Sequence, residues 1–323
     1  MHKRLLLLGA TLIAAPIAWA QPAWPTAKPI SIIVPFSAGG SVDTTARLLA
    51  EKLGERLKQS VVVDNVTGAG GTIGVAKAAQ AAPDGYTQVM GADSPVAIAP
   101  YANPKAVRYD PARDLAPVGL VNTAPMVLVA RPTLPASNLP ELVRLARKEP
   151  GKLSYATSGI GTVLHLAMEM IKQQGQFFAT HVPYRGGAQI ATDVIGGQVD
   201  LAMLVSVSAA PQIQAGKLKA IAVTGAERLA ILPNVPTVAE APGFKGFDVV
   251  TWSGLFAPAR TPAPVLERLN QELNAVLALP EVRARMQEQG ARPGSGSAQD
   301  FGRFVLREQT RYAQAVKAAG IKE

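Results

Sequence analysis

The sequence predicts an α/β protein of two similar domains facing each other across a cleft. Three observations carry this. Strand-like apolar runs alternate with helical patterns from Ile30 onward, the order of a parallel sheet flanked by helices. The pattern strand, glycine loop, helix occurs twice, over 32–50 and 153–174. A chain of 323 residues is long enough for two domains with cores of their own.

The elements follow in order. Residues 30–36 read as a strand, 45–57 as a helix, 60–65 as a strand, 73–82 as a helix and 87–91 as a strand. A proline-rich stretch, 99–117, reads as a loop. Residues 118–131 contain a strand that leads towards a second domain. There 139–147 is helical with Pro150-Gly151 as its stop, 153–156 is a strand, 158–162 a glycine loop and 163–174 a helix. Further strands end at 181–184 and span 199–205 and 220–224, with a helix at 189–195. The strand at 249–257 returns to the first domain, and the amphipathic segments 266–279, 281–289 and 298–319 form an outer layer on it.

The first residues stand apart. His2, Lys3 and Arg4 precede an apolar run to Ala20, and Ala18-Trp19-Ala20 fits a signal-peptidase site, so 1–20 is expected to be a cleaved secretory signal. An uncleaved membrane anchor is the alternative, disfavoured by the short apolar run. The expected domains are 21–126 plus 250–323, and 127–249. The chain has no cysteine, which excludes disulfides and a lipidated N-terminal cysteine; the expected home is the periplasm, not as a lipoprotein. The formal charge of +9 falls to +7 without Lys3 and Arg4. The basic residues are scattered rather than clustered, and with export this points to anionic small molecules and away from nucleic acid.

The loop Phe36-Ser37-Ala38-Gly39-Gly40, running into a helix, leaves backbone N–H groups free at a helix N-terminus, where anions bind. It lacks the Lys-Ser/Thr of a nucleotide loop; an ordinary βα turn is the alternative. Asp43 either complements the helix dipole or orients the loop or a ligand hydroxyl. Thr157, Ser158, Gly159, Gly161 and Thr162 form the second such loop, an incomplete dinucleotide fingerprint with Leu164 in place of the third glycine. Residues 68–72 make either a third wall of the cleft or a tight turn. His165, one turn into the following helix, is by default a buried, hydrogen-bonded histidine, and its nearness to the loop keeps it a binding candidate. Tyr184 and Arg185 offer an aromatic wall and a cation, or an exposed arginine. No metal-ligand spacing surrounds the histidines, no nucleophile elbow or carboxylate pair is found, and neither catalysis nor a cofactor is expected.

Taken in order, Val34-Pro35-Phe36 with Gly39-Gly40 and Asp43, Gly68-Ala69-Gly70-Gly71, Pro83-Asp84-Gly85-Tyr86-Thr87, Tyr109-Asp110-Pro111, Asp114-Leu115-Ala116-Pro117, His181-Val182-Pro183-Tyr184-Arg185-Gly186, Gly196-Gly197-Gln198-Val199-Asp200, Leu232-Pro233-Asn234-Val235-Pro236-Thr237 and Gly254-Leu255-Phe256-Ala257-Pro258 resemble the extracytoplasmic solute-binding receptors of the tripartite tricarboxylate transporters, the Bug or TctC-like family. The resemblance implies a type II periplasmic-binding-protein fold, two α/β domains around a ligand cleft. It implies a non-enzymatic, monomeric receptor that closes on a small carboxylate and delivers it to large and small permease subunits in the inner membrane. A periplasmic carboxylate sensor working with a two-component system is the alternative. Two loops, 36–40 and 157–162, would grip the carboxylate, partly through water, with further contacts around Asp93 and Ser94, Tyr184 and Arg185, and Leu204, Val205 and Ser206. Many relatives carry an aspartate where Met203-Leu204 stands here, and its absence argues against an amino-acid ligand. Hinges are expected near 124–129 and 249–253.

Overall fold

In Ile30–Val34 (β1) every second residue faces one apolar layer: Ile30, Ile32 and Val34 pack against Leu49, Leu53 and Leu255, while Ile33 faces Val75 and Val89 on the other side. A strand buried on both faces needs helices on both faces. The computed structural model, which describes residues 24–321, supplies them. The segment expected to be a signal peptide lies outside the described residues.

β1 is central, with β2 (Val61–Asn65) and β3 (Thr87–Ala92) parallel to it on either side. The crossovers are α1 (Ser41–Leu57), which buries Ala46, Leu49, Ala50, Leu53 and Leu57 at helical spacing, and α2 (Thr72–Ala79). The stretch expected as a loop is instead a series of short turns: a π-type turn at Ser94–Ile98, α3 (Ala99–Ala102), a 3-10 turn at Pro104–Ala106 and α4 (Pro111–Asp114). Pro100, Pro104 and Pro111 sit in first turns, where their missing N–H costs nothing, so the residue type that suggested loop here starts helices, while Pro117 already belongs to the next strand.

β4 (Leu115–Ala130) is longer than expected and belongs to both halves of the molecule. After it come α5 (Leu139–Lys148), β5 (Ser154–Thr157), α6 (Val163–Gly175), β6 (Thr180–Pro183), α7 (Gly187–Ile195), β7 (Leu201–Val205), α8 (Ser206–Gln214) and β8 (Lys219–Val223). The chain closes with β9 (Val250–Pro258), α9 (Ala263–Leu277), α10 (Pro280–Gln287), β10 (Arg292–Pro293) and α11 (Ala298–Ala319). Leu115 to Pro125 of β4 pair antiparallel with β9, which also pairs with β3. Met126 to Ala130 run instead between β7 and β8, and β7 leads to the parallel pair β5 and β6. Alternation along this second half puts Met126, Leu128 and Ala130 in one core and Val127 and Val129 in another, with Ile190, Val194 and Leu204.

The two passages between halves are tied together by Thr224. Its buried hydroxyl donates to Val249 O at 2.6 Å and accepts from Met126 N–H at 2.9 Å. Thr224→Val keeps the shape but leaves both backbone groups unpaired. It is expected to lower the unfolding free energy by about 1.5 kcal/mol, read from urea midpoints at unchanged m-value.

Candidate functional site

The first loop leaves β1 at Pro35 and enters α1 at Ser41. Gly39 sits at φ 77°, a left-handed conformation that a glycine takes without strain. Asp43 lies beneath it, buried, and accepts from Gly39 N–H at 2.8 Å, Arg47 Nε at 2.9 Å and Asn65 Nδ2 at 2.9 Å; Asn65 also donates to Phe36 O. Burial opposes the charge on Asp43, but the bonds from Arg47, Gly39 and Asn65 outweigh it and hold its carboxyl below the ordinary range. Its hydrogen bonds thus run to the loop and its neighbours.

The second loop leaves β5 at Thr157 and enters α6 at Val163. Gly159 and Gly161 take φ 129° and 68°. Thr162 caps α6, accepting from His165 N–H and donating to Gly159 O at 2.8 Å. Thr157 Oγ1 lies 2.7 Å from His181 Nε2, and Gly161 N–H donates to His165 Nδ1 at 3.2 Å. The imidazoles stack at 4.2 Å between centroids, with Tyr155 stacked on His181 at 4.9 Å. Tyr155 O–H donates to Glu169, which also pairs with Lys172 at 2.6 Å. Burial lowers the affinity of both histidines for a proton, and His165 beside it helps push His181 down to about 4.

The loops meet. Ser37 N–H donates to Arg185 O at 3.4 Å, and Val163 N–H donates to Ser94 Oγ at 3.1 Å. Gly68 to Gly71, with a 3-10 turn at Ala69–Gly71, closes against the second loop so tightly that a Cβ on Gly70 would stand 3.3 Å from Ile160 O. Between the loops lies a cavity of about 50 Å³, but none of residues 68–72 lines it. Four helix starts face it: Gly40, Ser41 and Val42 at α1; Val163 and Leu164 at α6; Gly186 and Gly187 at α7; and Leu204, Val205 and Ser208 around α8. Three of these starts, at α1, α7 and α8, carry no side-chain cap. The Ser37 hydroxyl beside them is buried without a hydrogen-bond partner among the described residues. Uncapped N–H groups and the positive ends of helix dipoles so gathered favour an anion, and no lysine, arginine or histidine lines the cavity.

Phe36, Ala92, Asp93, Ser94, Ser158 and Thr251 complete the wall. Asp93 Oδ1 accepts from Ser94 N–H and Oγ–H, and Oδ2 from Thr251 Oγ–H and Trp252 N–H, at 2.6 to 3.1 Å. Burial nevertheless raises its carboxyl to about 6. Of the residues singled out in the sequence, Phe36, Gly40, Asp93, Ser94, Ser158, Leu204 and Val205 line the cavity. Ser37, Ala38, Gly39, Thr157, Gly159, Gly161 and Thr162 shape the loops, and His165 braces the second from below. Tyr184, Arg185 and Ser206 lie off the wall and outside both loops: Tyr184 donates to Asp193 Oδ2 at 2.7 Å, Arg185 is exposed, and Ser206 bonds to Gly290 O. Sequence reasoning missed Ala92, Val163, Leu164, Ser208 and Thr251, since residues of these types at an element end carry no signature of their own.

Among the described residues no helix is long and apolar enough to cross a membrane. Residues 45–321 match the model of the tripartite tricarboxylate transporter family receptors. A UPF0065 protein from the tcbD-tcbE intergenic region of Pseudomonas sp. (strain P51) is 39% identical over 290 residues, 90% of this chain and 85% of that protein. The solved structure of an R. palustris protein with adipate is similar at TM-score 0.89 and 35% identity, covering 93% of this chain and 99% of the other. MatC from Rhodopseudomonas palustris with bound malate is similar at TM-score 0.86 and 32% identity, covering 90% and 99%. With the two α/β halves and the cleft between them, these likenesses place the chain in a definite group: it belongs to the tripartite tricarboxylate transporter receptor family.

Proposed function

We propose that this chain is a periplasmic receptor that captures a small carboxylate by closing its cleft and passes it, unchanged, to the membrane subunits of a tripartite permease. The observation that carries the reading is the meeting of four helix starts, three of them uncapped, at one cavity between the halves. An anion at a partly buried helix N-terminus gains up to about 2 kcal/mol, and charge-assisted bonds to N–H groups add to it. Adipate and malate in the two solved relatives support a carboxylate as the anion.

In this reading the domains are 21–126 with 250–323, and 127–249, released as a monomer into the periplasm once 1–20 is removed. They turn about the paired passages at 124–129 and 249–253, where Thr224 holds both strands. Closure brings Ser94 to Val163 N–H and Ser37 to Arg185 O, so the closed form is favoured by contacts that the open form lacks.

The test uses ligand-free protein. A carboxylate at a hundred times its Kd is expected to raise the unfolding free energy by about 2.7 kcal/mol. Gly40→Val is expected to lose most of that gain while unfolding like the parent without ligand. Gly40 has φ −76° and ψ 172°, which valine adopts; its Cβ would stand 3.3 Å from Ser37 O, so the loop gives by a few tenths of an ångström, and 3.8 Å from Gly187 N, between two of the uncapped helix starts. Full stabilisation of Gly40→Val would remove the assignment of the site.

A further inference from the structure

We infer that the cleft has a second, smaller compartment that takes one uncharged oxygen beside the carboxylate, so that acids with a hydroxyl on the second or third carbon are preferred. The inference rests on the carboxylate reading of the neighbouring cavity and deepens it to a class of acid.

The compartment is a cavity of about 20 Å³ walled by α1, β4, β9 and the start of α8, so both halves and both passages between them contribute. Ser41, Val42, Val205 and Thr251 line this compartment and the larger cavity alike, which places the two side by side. Ser41 and Val42 open α1, and Val205 directly precedes α8. These are two of the uncapped helix starts at which the carboxylate is placed. A group that enters the compartment therefore stands close to the carboxylate and not at the far end of the ligand.

The polar groups of the wall define what fits. Thr45, Asn122 and Ser253 are 4%, 6% and 5% exposed. Ser253 Oγ–H donates to Asn122 Oδ1 at 2.7 Å. Asn122 Nδ2 reaches Thr45 Oγ1 only at 3.5 Å, the outer limit of a hydrogen bond. An amide nitrogen carries two N–H donors and a threonine hydroxyl one. The second Asn122 N–H and the Thr45 O–H have no partner among the described residues. Buried donors of this kind are costly to leave unpaired. An oxygen in the compartment would accept from them, and its own proton has the free lone pairs of Ser253 Oγ to go to.

Size and charge narrow the group further. A water-sized group needs about 10–15 Å³ of such space, so the compartment holds one. No charged side chain lines it, and the Thr251 hydroxyl on the shared wall is already given to Asp93 Oδ2 at 2.6 Å. A hydroxyl matches in size, in charge and in being donor and acceptor at once. A ligand without one leaves the place to a water, which then has to be ordered there.

The experiment moves one hydroxyl along a four-carbon acid. Ligand-free protein at pH 8 is titrated calorimetrically with butanoate and with 2-, 3- and 4-hydroxybutanoate, each enantiomer separately. The 2- or the 3-hydroxy acid is expected to bind at least about fivefold more tightly than butanoate, and the 4-hydroxy acid no more tightly. In Asn122→Leu, which keeps the volume and removes the amide, that preference is expected to fall below about twofold. Thr45→Val keeps its shape and should at least halve the preference, which serves if Asn122→Leu does not fold. Hydroxy acids no tighter than butanoate would mean that the compartment holds water alone, and would overturn the inference while the carboxylate reading stands. A gain for the 4-hydroxy acid only, or a preference kept in every variant that folds, would put the hydroxyl elsewhere and overturn it too. No binding by any of the four acids, with no stabilisation against urea at millimolar acid, overturns both.

Discussion

Gly186→Val is expected to lose at least a hundredfold in carboxylate affinity while folding as the parent does. Gly186 has φ 168° and ψ 168°, an extended conformation open to any residue, so the substitution strains nothing within its own half. Its neighbour across the cleft is Ser37. A Cβ would overlap Ser37 Oγ and stand 3.1 Å from both Ser37 Cβ and Ser37 N. Turning the hydroxyl relieves the overlap and leaves the other two contacts, and the two valine methyls add to them. The clash exists only when the halves are together, so the variant shifts the population towards the open form. A hundredfold corresponds to about 2.7 kcal/mol, the size of steric conflict that a tightly packed contact produces. Titration calorimetry gives the affinity, and small-angle scattering with saturating acid shows whether the molecule still compacts. Parental affinity together with normal compaction would remove closure from the mechanism. Gly161 is a poorer place for this test: its φ of 68° makes any side chain strained, so lost binding there mixes a bent loop with a blocked cleft.

The same pair of loops shows what was legible in the sequence. Short apolar runs located β1, β3, β5 and β7, because a strand buried on both faces leaves a continuous hydrophobic signal, and the three valines that open the half-exposed β2 located it as well. The glycine loops were visible because close backbone approach demands residues without side chains. The start of α8 was not. Leu204-Val205-Ser206-Val207-Ser208 runs from strand to helix with no glycine, so nothing in composition marks it, although Ser208 lines the cavity. The length of β4 was obscured for a related reason. Pro117 and Pro125 suggest breaks, yet Pro117 sits at a shift of register against β9 and Pro125 where the strand passes between sheets. Asp93 was found from family likeness alone. Its saturated hydrogen bonds come from Ser94, Thr251 and Trp252, and a contact between β3 and β9 is 158 residues long in sequence.

The positive charge of the chain also resolves into two separate effects. The scattered lysines and arginines give a basic surface that draws anions towards the molecule. None of them lines the cavity, where helix starts take over. A fixed dipole cannot swing out to water as a lysine can. A site built on dipoles is therefore pre-organised, and its strength depends on the backbone being held in place. The second loop is held by the histidine pair.

Acidification is expected to weaken that hold, and His181→Gln is expected to remove much of the effect. A histidine pKa of about 6.5 in the unfolded chain falls to about 4 for His181 in the fold, chiefly through burial and then through His165. The folded form therefore prefers neutral His181. Its contribution is fully present above pH 6.5 and is lost as pH falls from 6.5 towards 4, at about 1.4 kcal/mol per unit and about 3 kcal/mol in all. His165, also lowered by burial, acts in the same direction. Asp93 acts against them. Its carboxyl is raised from 3.8 to about 6, so its ionisation opposes folding as pH rises through that range, and acid relieves it. Between pH 6 and 4 the wild-type profile is the difference of two opposing slopes and says little alone. The comparison of variants separates them: from pH 7 to pH 4.5, His181→Gln should lose about 2 kcal/mol less than wild type in urea unfolding. Glu169 and Lys172 face the same imidazoles; burial opposes the charge on Glu169, but the bonds from Lys172 and Tyr155 outweigh it and hold its carboxyl below the ordinary range. The binding site feels the change through one bond. Gly161 N–H can only donate, so His165 Nδ1 accepts while neutral and cannot when protonated there. Carboxylate affinity should therefore fall as His165 charges, with the second loop losing amide-exchange protection at Gly161 under the same conditions. Equal acid sensitivity of wild type and His181→Gln, in both unfolding and exchange, would remove the histidines from the control of this loop.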